Sequence, residues 1–152
     1  MAEKDQPDNV VELRARALRL LARREHSRKE LERKLSPHAG SSDDLRILMS
    51  GLKEKNQLSE ERYAEVRARQ LARKYGAARI RQDLKAKGIS EELISRVSSE
   101  GELERARTIL ERKYRTPAAT REEKAKRMRF MQGRGFSFDV IRQLLDGRLD
   151  GG

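Results

Sequence analysis

The sequence predicts an all-α protein made of three tandem three-helix modules, and three observations support this prediction. Apolar residues recur at helical spacing in nearly every segment, and no run alternates as a half-buried strand does. Capping residues and acidic first turns stand before these segments, where they satisfy free N–H groups and the helix dipole. Similar residue groups also return along the chain, as in repeat proteins.

The first module begins with an apolar stripe that predicts a helix near residues 10–25. A capping box at Ser27–Glu30 opens a short second helix. A loop containing Pro37 follows, and a further stripe predicts a third helix near residues 43–55. The stripes of these three helices are, in order, Val10, Leu13, Ala17, Leu20 and Leu21; Leu31 and Leu35; and Leu45, Leu48, Met49 and Leu52.

The second module repeats this order of elements. A capped helix is predicted near residues 60–75, and Gly76 breaks it. A short helix near residues 77–87 ends at Gly88, and Ser90 caps a third helix. On a helical wheel, the apolar residues of the short helix share one face, which we expect to point into the core: Ala77, Ile80 and Leu84.

The third module starts with a helix near Glu102. A capping box at Thr120–Glu123 opens the next helix, and Gly133–Gly135 interrupts it. Ser137 then caps the last helix. The chain therefore contains nine predicted helices in three groups of three.

Internal alignments support a true repeat. Lys87–Ser90 matches Arg134–Ser137 at an offset of 47 residues. The first helices of the three modules close with related segments, namely Leu21–Arg24, Leu71–Lys74 and Leu110–Lys113. Because a three-helix unit buries little core alone, we expect neighbouring modules to share apolar faces. The predicted segments are a disordered tail at 1–9, modules at 10–57, 58–100 and 101–147, and a frayed tail at 148–152.

The composition of the 152-residue chain excludes several classes of protein. Charged residues make up 40% and hydrophobic residues 36%, and the net charge is +11, which suits an anionic partner such as nucleic acid. The chain has no Cys, which excludes disulfides and thiolate sites and fits a reducing cytoplasm. No apolar run reaches the length of a membrane span, and the polar start is not a signal peptide.

The sequence gives no indication of an enzyme, a cofactor or a metal. His26 and His38 are expected at the surface near helix ends, and two histidines without Cys make a weak metal site. Gly133–Gly135 lacks the Lys-Ser/Thr pair of a phosphate loop. Each acidic pair falls in the first turn of a predicted helix, where carboxylates favour the dipole. These pairs are Asp43–Asp44, Glu60–Glu61, Glu91–Glu92 and Glu122–Glu123.

Basic residues are concentrated in three blocks, and these blocks carry the functional information. The net charge is +5 over residues 10–35, +7 over 62–87 and +5 over 102–129. A basic stripe of this kind neutralises phosphates or docks an acidic protein surface, although a charged run is often only a solvated helix face. The candidate binding residues are Arg23, Arg24, Arg73, Lys74, Arg79, Lys85, Arg112 and Lys113.

The middle block is the most basic, so we expect it to contribute most to docking. Arg79 lies opposite the apolar face of its helix, and Lys85 flanks it. Arg73 and Lys74 close a helix, where the dipole alone already favours cations. Arg81 falls close to the apolar stripe, so we expect it to snorkel or to pair internally rather than to reach a partner. Aromatic residues are only 4%, which argues against base stacking as the main source of affinity.

Three segments resemble the bacterial RecX family, the regulators of the RecA recombinase. They are Ala17–Leu31, Tyr75–Ile89 and Arg134–Ile141. Their order and spacing match the family over nearly the whole chain, from about residue 15 to residue 146. The loop from Pro37 to Asp43 and the helix after it are less typical.

The resemblance implies an all-α fold of three tandem three-helix modules in an extended, curved array. It also implies binding in the groove of the RecA–DNA filament, with weak, non-specific affinity for single- and double-stranded DNA. There the family restrains ATP hydrolysis, strand exchange and co-proteolysis of the SOS repressor, without catalytic residues of its own. A cytoplasmic protein with no cofactor, no membrane partner and no small-molecule substrate is expected.

Two other functions remain open from the residues alone. A stand-alone DNA-binding protein would place one helix of each module in a groove. An enzyme acting on nucleic acid would need metal-dependent turnover, which no residue set supports. Partner dependence separates the first alternative from a filament regulator, because a regulator binds single-stranded DNA far more tightly when recombinase and nucleotide are present.

Overall fold

The computed structural model describes residues 6–146, and within them the chain forms nine α-helices and no strand. In chain order these are α1 (Val10–Arg23), α2 (Arg28–Leu35), α3 (Ser42–Glu54), α4 (Glu60–Leu71), α5 (Ala77–Ala86), α6 (Glu91–Ile94), α7 (Glu102–Lys113), α8 (Arg121–Gly133) and α9 (Phe138–Asp146). A single turn of 3₁₀ helix, Ser36–His38, follows α2. The all-α prediction is confirmed, and the frayed tail predicted at 148–152 lies outside the described residues.

The start of α1 is fixed by two residues that the sequence pattern assigns to a disordered tail. The Asn9 side chain accepts a hydrogen bond from the Glu12 N–H at 2.8 Å, and the Glu12 carboxylate accepts one from the Asn9 N–H at 2.9 Å. The Asp8 carboxylate accepts a hydrogen bond from Arg16 Nε at 2.8 Å, which lowers the pKa of Asp8. Asp8 and Asn9 therefore both bond to α1, because Asn9 caps the first turn and Asp8 pairs with Arg16 in the second turn.

Two helices are shorter than their apolar pattern predicts. α4 ends at Leu71, and the chain turns there with the N–H groups of Lys74 and Tyr75 both bonded to the Leu71 carbonyl. α6 has only four residues, because the N–H groups of Arg96 and Val97 bond three residues back, as in a 3₁₀ turn. The predicted internal pairing of Arg81 is confirmed here, since its Nη2 donates to the Val97 carbonyl at 2.9 Å.

The described chain divides into two compact units. Unit 1 consists of the residues up to Val66 together with Ala86–Ser90, and unit 2 of Arg67–Lys85 and the residues from Glu91 onward. Because these borders fall inside helices, α4 and α5 contribute residues to both units. The module boundaries derived from the repeat stay a prediction.

The core of unit 1 is an aliphatic cluster from α1, α2, α3 and the segment after α3. Leu31, Leu35 and Leu52 are completely buried, and burial of each such side chain contributes roughly 1.5–3 kcal/mol. The cluster consists of Leu13, Ala17, Leu31, Leu35, Leu48, Met49, Leu52 and Leu58. The apolar stripes read from the sequence therefore supply this core.

The core of unit 2 includes an apolar cluster from α7, α8 and α9. It consists of Ala106, Ile109, Met131, Phe136 and Ile141. The predicted inward face of α5 is also confirmed, because Ala77, Ile80 and Leu84 are each at most 2% exposed. Unit 2 thereby anchors the turn between α4 and α5, and that turn carries several of the candidate binding residues.

Candidate anion-binding cleft

A cleft of about 720 Å³ lies in unit 2, beside the turn between α4 and α5 and the ends of α7 and α8. We call it the cationic cleft, because seven of the side chains that line it are basic and none is acidic. These seven are Arg73, Lys74, Arg79, Arg112, Lys113, Arg129 and Arg134. Its other walls include the rings of Tyr75 and Phe130. A concave surface lined by one sign of charge concentrates ions of the opposite sign.

Two turns dock on each other to form one wall of the cleft. The Gly76 N–H donates to the Arg134 carbonyl at 2.7 Å. Arg79 Nη1 donates to the Gly133 carbonyl at 2.9 Å, and Arg134 Nη1 donates to the Lys74 carbonyl at 3.3 Å. The turn between α4 and α5 is therefore tied to the turn between α8 and α9 by backbone and side-chain hydrogen bonds.

Glycine is required at both places where these turns meet. A Cβ at Gly76 would lie 2.4 Å from the Gly135 carbonyl oxygen, and a Cβ at Gly135 would lie 2.4 Å from the Cβ of Arg79. Gly135 also has φ +89°, in the left-handed region that disfavours other residues. The close approach of the two backbones therefore depends on the absence of side chains.

Aromatic rings hold three of the cations in place. The Arg79 guanidinium lies 4.6 Å from the Tyr75 ring centre, and Lys113 Nζ lies 5.1 Å from that of Phe130. Arg134 contacts both rings, at 5.4 and 5.0 Å. These distances are within the range of cation–π attraction, which fixes a guanidinium while its N–H edge stays able to donate.

A second aromatic contact supports Phe130 from outside the cleft. The Tyr114 and Phe130 rings meet edge to face, with centres 6.0 Å apart. The Arg127 guanidinium lies 4.4 Å from the Tyr114 ring centre, and Arg127 is only 9% exposed. The repeat pattern singles out Tyr75 and Tyr114, since both directly follow aligned segments. It does not predict that Arg127 contacts Tyr114.

The structure brings five of the eight candidate residues together in the cationic cleft. They are Arg73, Lys74, Arg79, Arg112 and Lys113. Lys85 is exposed on α5 but does not line the cleft, and Arg23 and Arg24 lie in unit 1. Arg129 and Arg134 also line the cleft, and the sequence does not predict them as binding residues: Arg129 lies within α8, and Arg134 enters the repeat alignment only as the match of Lys87.

Unlike Arg62 and Arg67, the cleft cations have no acidic partner in the described part of the chain. Arg67 forms two hydrogen bonds with the Asp83 carboxylate, at 2.9 and 3.0 Å, and Arg62 pairs with Glu25 at 2.9 Å. Between residues 6 and 146, by contrast, none of the seven cleft cations lies within 4.0 Å of a carboxylate oxygen. Their charge is therefore available to an external anion.

The turn between α1 and α2 has a different character. Arg24 Nη1 donates to Glu30 Oε1 at 3.0 Å, and a second bond joins Arg24 Nη2 to Glu30 Oε2. This pairing lowers the pKa of Glu30 to about 2. Arg24, which the sequence offers as a binding residue, is thus held by an internal carboxylate.

His26 in this turn is buried, so its expected surface position was wrong. It is 1% exposed, with Nδ1 3.0 Å from the Arg24 carbonyl and Nε2 3.1 Å from Lys34 Nζ. Because an ammonium group only donates, Nε2 accepts and Nδ1–H donates, which is the neutral form of the ring. Burial lowers the pKa of His26 and favours that form.

No helix within residues 6–146 has both the length and the apolar character needed to cross a membrane. In that same part of the chain, no three His, Asp or Glu side chains are grouped as metal ligands would be.

Three family descriptions match the chain in order. They are "RecX, first three-helix domain" at residues 14–38, "RecX, second three-helix domain" at 59–97, and "RecX, third three-helix domain" at 100–145. The matched segments include both the turn between α1 and α2 and the residues of the cationic cleft.

Whole proteins of this kind are similar over nearly their full length. The chain is 44% identical over 140 residues to the regulatory protein RecX of Herbaspirillum seropedicae, covering 90% of this chain and 91% of the relative. It is 41% identical over 144 residues to that of Ralstonia nicotianae, covering 93% and 91%. The crystal structure of RecX from Lactobacillus salivarius matches the fold with a TM-score of 0.79 at 22% identity, over 94% of this chain and 97% of that one.

Proposed function

This chain belongs to the RecX family of regulatory proteins, and from that premise we propose that it regulates the RecA recombinase by binding the RecA–DNA filament. Such binding would restrain ATP hydrolysis, strand exchange and co-protease activity of the filament. The proposed site of action is the cytoplasm, where the recombinase works on DNA. Occupying the filament is sufficient for this role, so the proposal assigns no catalytic step to the chain.

The observation that supports the proposal best is the cationic cleft. Seven cations surround about 720 Å³ without an internal carboxylate partner in the described chain, and a nucleoprotein filament offers the phosphates and acidic side chains that such a surface attracts. The proposed contact residues are the five predicted cations that line the cleft together with Arg129 and Arg134.

The direct test is the DNA-dependent ATPase rate of the host's recombinase. We expect the protein to slow hydrolysis at substoichiometric or equal ratios to recombinase. The double variant Arg112→Ala, Arg129→Ala removes two exposed cleft cations that make no internal hydrogen bond in the described structure, and we expect it to restrain hydrolysis several-fold less.

A matched control removes the same charge from α3, where Arg46 and Lys53 are exposed in unit 1. The variant Arg46→Ala, Lys53→Ala should restrain hydrolysis as the wild type does. Unchanged hydrolysis at saturating wild-type protein, with filaments intact, would refute the proposed function.

The same cleft also suits a stand-alone DNA-binding protein, which is the alternative function. Binding to labelled single-stranded DNA, measured with and without recombinase and a nucleotide, separates the two. A filament regulator should bind at least tenfold more tightly when both are present. Equal affinity in the two conditions would favour the stand-alone function.

A further inference from the structure

We propose that the cationic cleft binds the phosphodiester backbone of a nucleic acid strand, and that Glu30 prevents the corresponding turn between α1 and α2 from doing so. The inference rests on the proposed function for the presence of DNA at the binding site. It goes further in naming the ligand of the cleft and the residue that confines binding to one of two related turns.

The two turns correspond, but the second is one residue shorter, since Tyr75 and Gly76 stand against Glu25, His26 and Ser27. Leu21–Arg24 aligns with Leu71–Lys74, so Arg24 and Lys74 both close the aligned segment, although α1 ends at Arg23 and α4 already at Leu71. α2 begins at Arg28 and α5 at Ala77, and the third residues of these helices are Glu30 and Arg79. The aligned core residues that follow, Leu31 and Ile80, are both buried.

The charges at these corresponding places are opposite. In the first turn, Glu30 holds Arg24 through two hydrogen bonds and lies 3.9 Å from Lys34 Nζ. Glu25, which directly follows Arg24, accepts from Arg62. Each carboxylate there has a cation of the protein as its partner, so the positive charge of this turn is largely neutralised.

The second turn has neither carboxylate. Tyr75 stands in the place of Glu25, and Arg79 in the place of Glu30. Arg79 lies over the Tyr75 ring and donates to the Gly133 carbonyl, and Lys74 has no carboxylate within 4.0 Å in the described chain. The aligned positions thus differ by three units of charge, which converts a neutral turn into one wall of a cationic cleft.

The density of charge favours a phosphodiester over an acidic protein. A nucleic acid strand carries one negative charge per nucleotide, closely and regularly spaced, whereas acidic side chains are rarely so dense. Guanidinium groups also match phosphate oxygens with two parallel N–H bonds. Because Tyr75 and Phe130 already contact two cations each, they are poor platforms for bases, and we expect binding without sequence preference.

The experiment measures binding of the full-length protein to labelled oligo(dT) without recombinase, over a range of salt concentrations. The slope of log affinity against log salt changes by about 0.7 for each phosphate of a single strand that the protein neutralises. We expect Arg112→Ala and Arg129→Ala to reduce the slope by about 0.7 each. Lys85→Ala, which removes an exposed cation of α5 outside the cleft, should leave it unchanged.

The decisive variant is Glu30→Gln, which releases Arg24 and should raise the slope by about 0.7. Its control is Glu32→Gln on the same helix, where an exposed carboxylate pairs with Arg28 at 2.9 Å. The control changes net charge equally and should leave the slope as in the wild type. Circular dichroism confirms that each variant is folded before binding is measured.

Two results would overturn the inference. One is an unchanged slope in both cleft variants; if these variants also fail to restrain the recombinase ATPase, the cleft docks an acidic protein surface instead. The other is a Glu30→Gln protein that is folded and binds oligo(dT) as the wild type does. If instead the slopes change as expected while ATPase restraint is absent even in the wild type, the inference stands and the proposed function fails.

Discussion

Gly76 and Gly135 decide whether the two turns of unit 2 can meet, because neither position has room for a Cβ. A third glycine nearby, Gly133, has open space around it. Gly135 has φ +89° and leaves no room for a Cβ beside Arg79, whereas Gly133 is the last residue of α8, with no atom within 4 Å of a Cβ placed there. The same substitution at these two positions therefore tests opposite effects.

We predict that Gly135→Ala lowers the free energy of unfolding by about 1–3 kcal/mol, because it combines a left-handed backbone with a steric clash. Gly133→Ala should stabilise the protein by up to about 1 kcal/mol, since Gly133 is helical and alanine loses less backbone entropy than glycine on folding. Urea unfolding followed by circular dichroism measures both changes. Equal stability of the two variants would contradict the docking of the turns.

A buried histidine predicts a pH dependence of stability. Because the pKa of His26 is lowered in the folded protein, the unfolded chain binds more protons just below the usual value of 6.5. Stability is therefore fully present above pH 6.5 and falls as the pH drops through the window below it. Arg24 and Lys34 face the ring and oppose its protonation, whereas Glu30 favours it.

We expect His26→Gln to flatten this part of the stability curve. Urea midpoints measured between about pH 7.5 and 5 give the slope. His38→Gln is the matched control, because His38 is half-buried in the 3₁₀ turn and its side chain makes no hydrogen bond in the described structure. A wild-type slope in His26→Gln would show that the ring does not carry the dependence.

The burial of apolar residues can be predicted from the sequence, whereas the burial of particular polar residues cannot. Apolar spacing predicts that Ala77, Ile80 and Leu84 lie in the core. The free energy gained by burying an apolar side chain depends little on which apolar residue it packs against. The burial of His26 and Arg127 is not predictable in this way, since a polar residue is buried only where a specific acceptor or ring meets it in space. Those partners have no local signature in the sequence.

At the scale of elements, helix α5 is capped by a residue from another helix. Glu102, in the first turn of α7, is 6% exposed and accepts a hydrogen bond from the Ala77 N–H at 2.7 Å. One carboxylate thus serves the N-termini of two helices, where negative charge is favourable. Apolar periodicity predicts helices α5 and α7, but it does not predict that Glu102 of α7 caps the N-terminus of α5.

We predict that Glu102→Ala costs about 1–3 kcal/mol of stability, because it leaves a buried N–H without an acceptor. Glu102→Gln keeps an acceptor and should cost less. Glu104→Ala is the control in the same turn, and its exposed side chain should change stability by less than about 0.5 kcal/mol. Amide exchange at Ala77 gives the local readout, and protection equal to the wild type in Glu102→Ala would contradict the capping role.

Acid should destabilise the fold strongly. Glu30 has its pKa lowered from 4.5 to about 2 by Arg24, so its contribution to stability is present above pH 4.5 and is lost as the pH falls towards 2. Protonation of the other carboxylates meanwhile exposes the repulsion among 36 Lys and Arg residues.

We expect the urea midpoint to fall steeply between pH 4.5 and 2, and Glu30→Gln to lose less stability over that interval. Glu32→Gln, whose carboxylate is more exposed, should follow the wild type. Identical acid profiles for the wild type and Glu30→Gln would mean that the Arg24 pair does not contribute.

The sequence predicts that the candidate site is rich in cations, but it does not predict which of those cations are available to a ligand. Clustered cations at helix ends identify Arg73, Lys74, Arg112 and Lys113, because charge is visible in the sequence. The distinction between available and neutralised cations is not visible there, since it depends on whether a carboxylate such as Glu30 folds back onto its neighbour. Net charge alone treats Arg24 and Lys74 as equivalent, although only one of them is held by an acid.

The paired glycines also constrain how such a chain can exchange parts with its relatives. Gly76 and Gly135 are far apart in the chain, yet a Cβ at Gly76 would strike the backbone of Gly135, and a Cβ at Gly135 would strike Arg79, three residues after Gly76. A crossover that falls between them joins two parental halves, and the hybrid keeps its fold only if both parents carry the matching glycine. Gene shuffling within the family should therefore recover viable hybrids most often with breakpoints outside the segment from Gly76 to Gly135, so that the pair is inherited together.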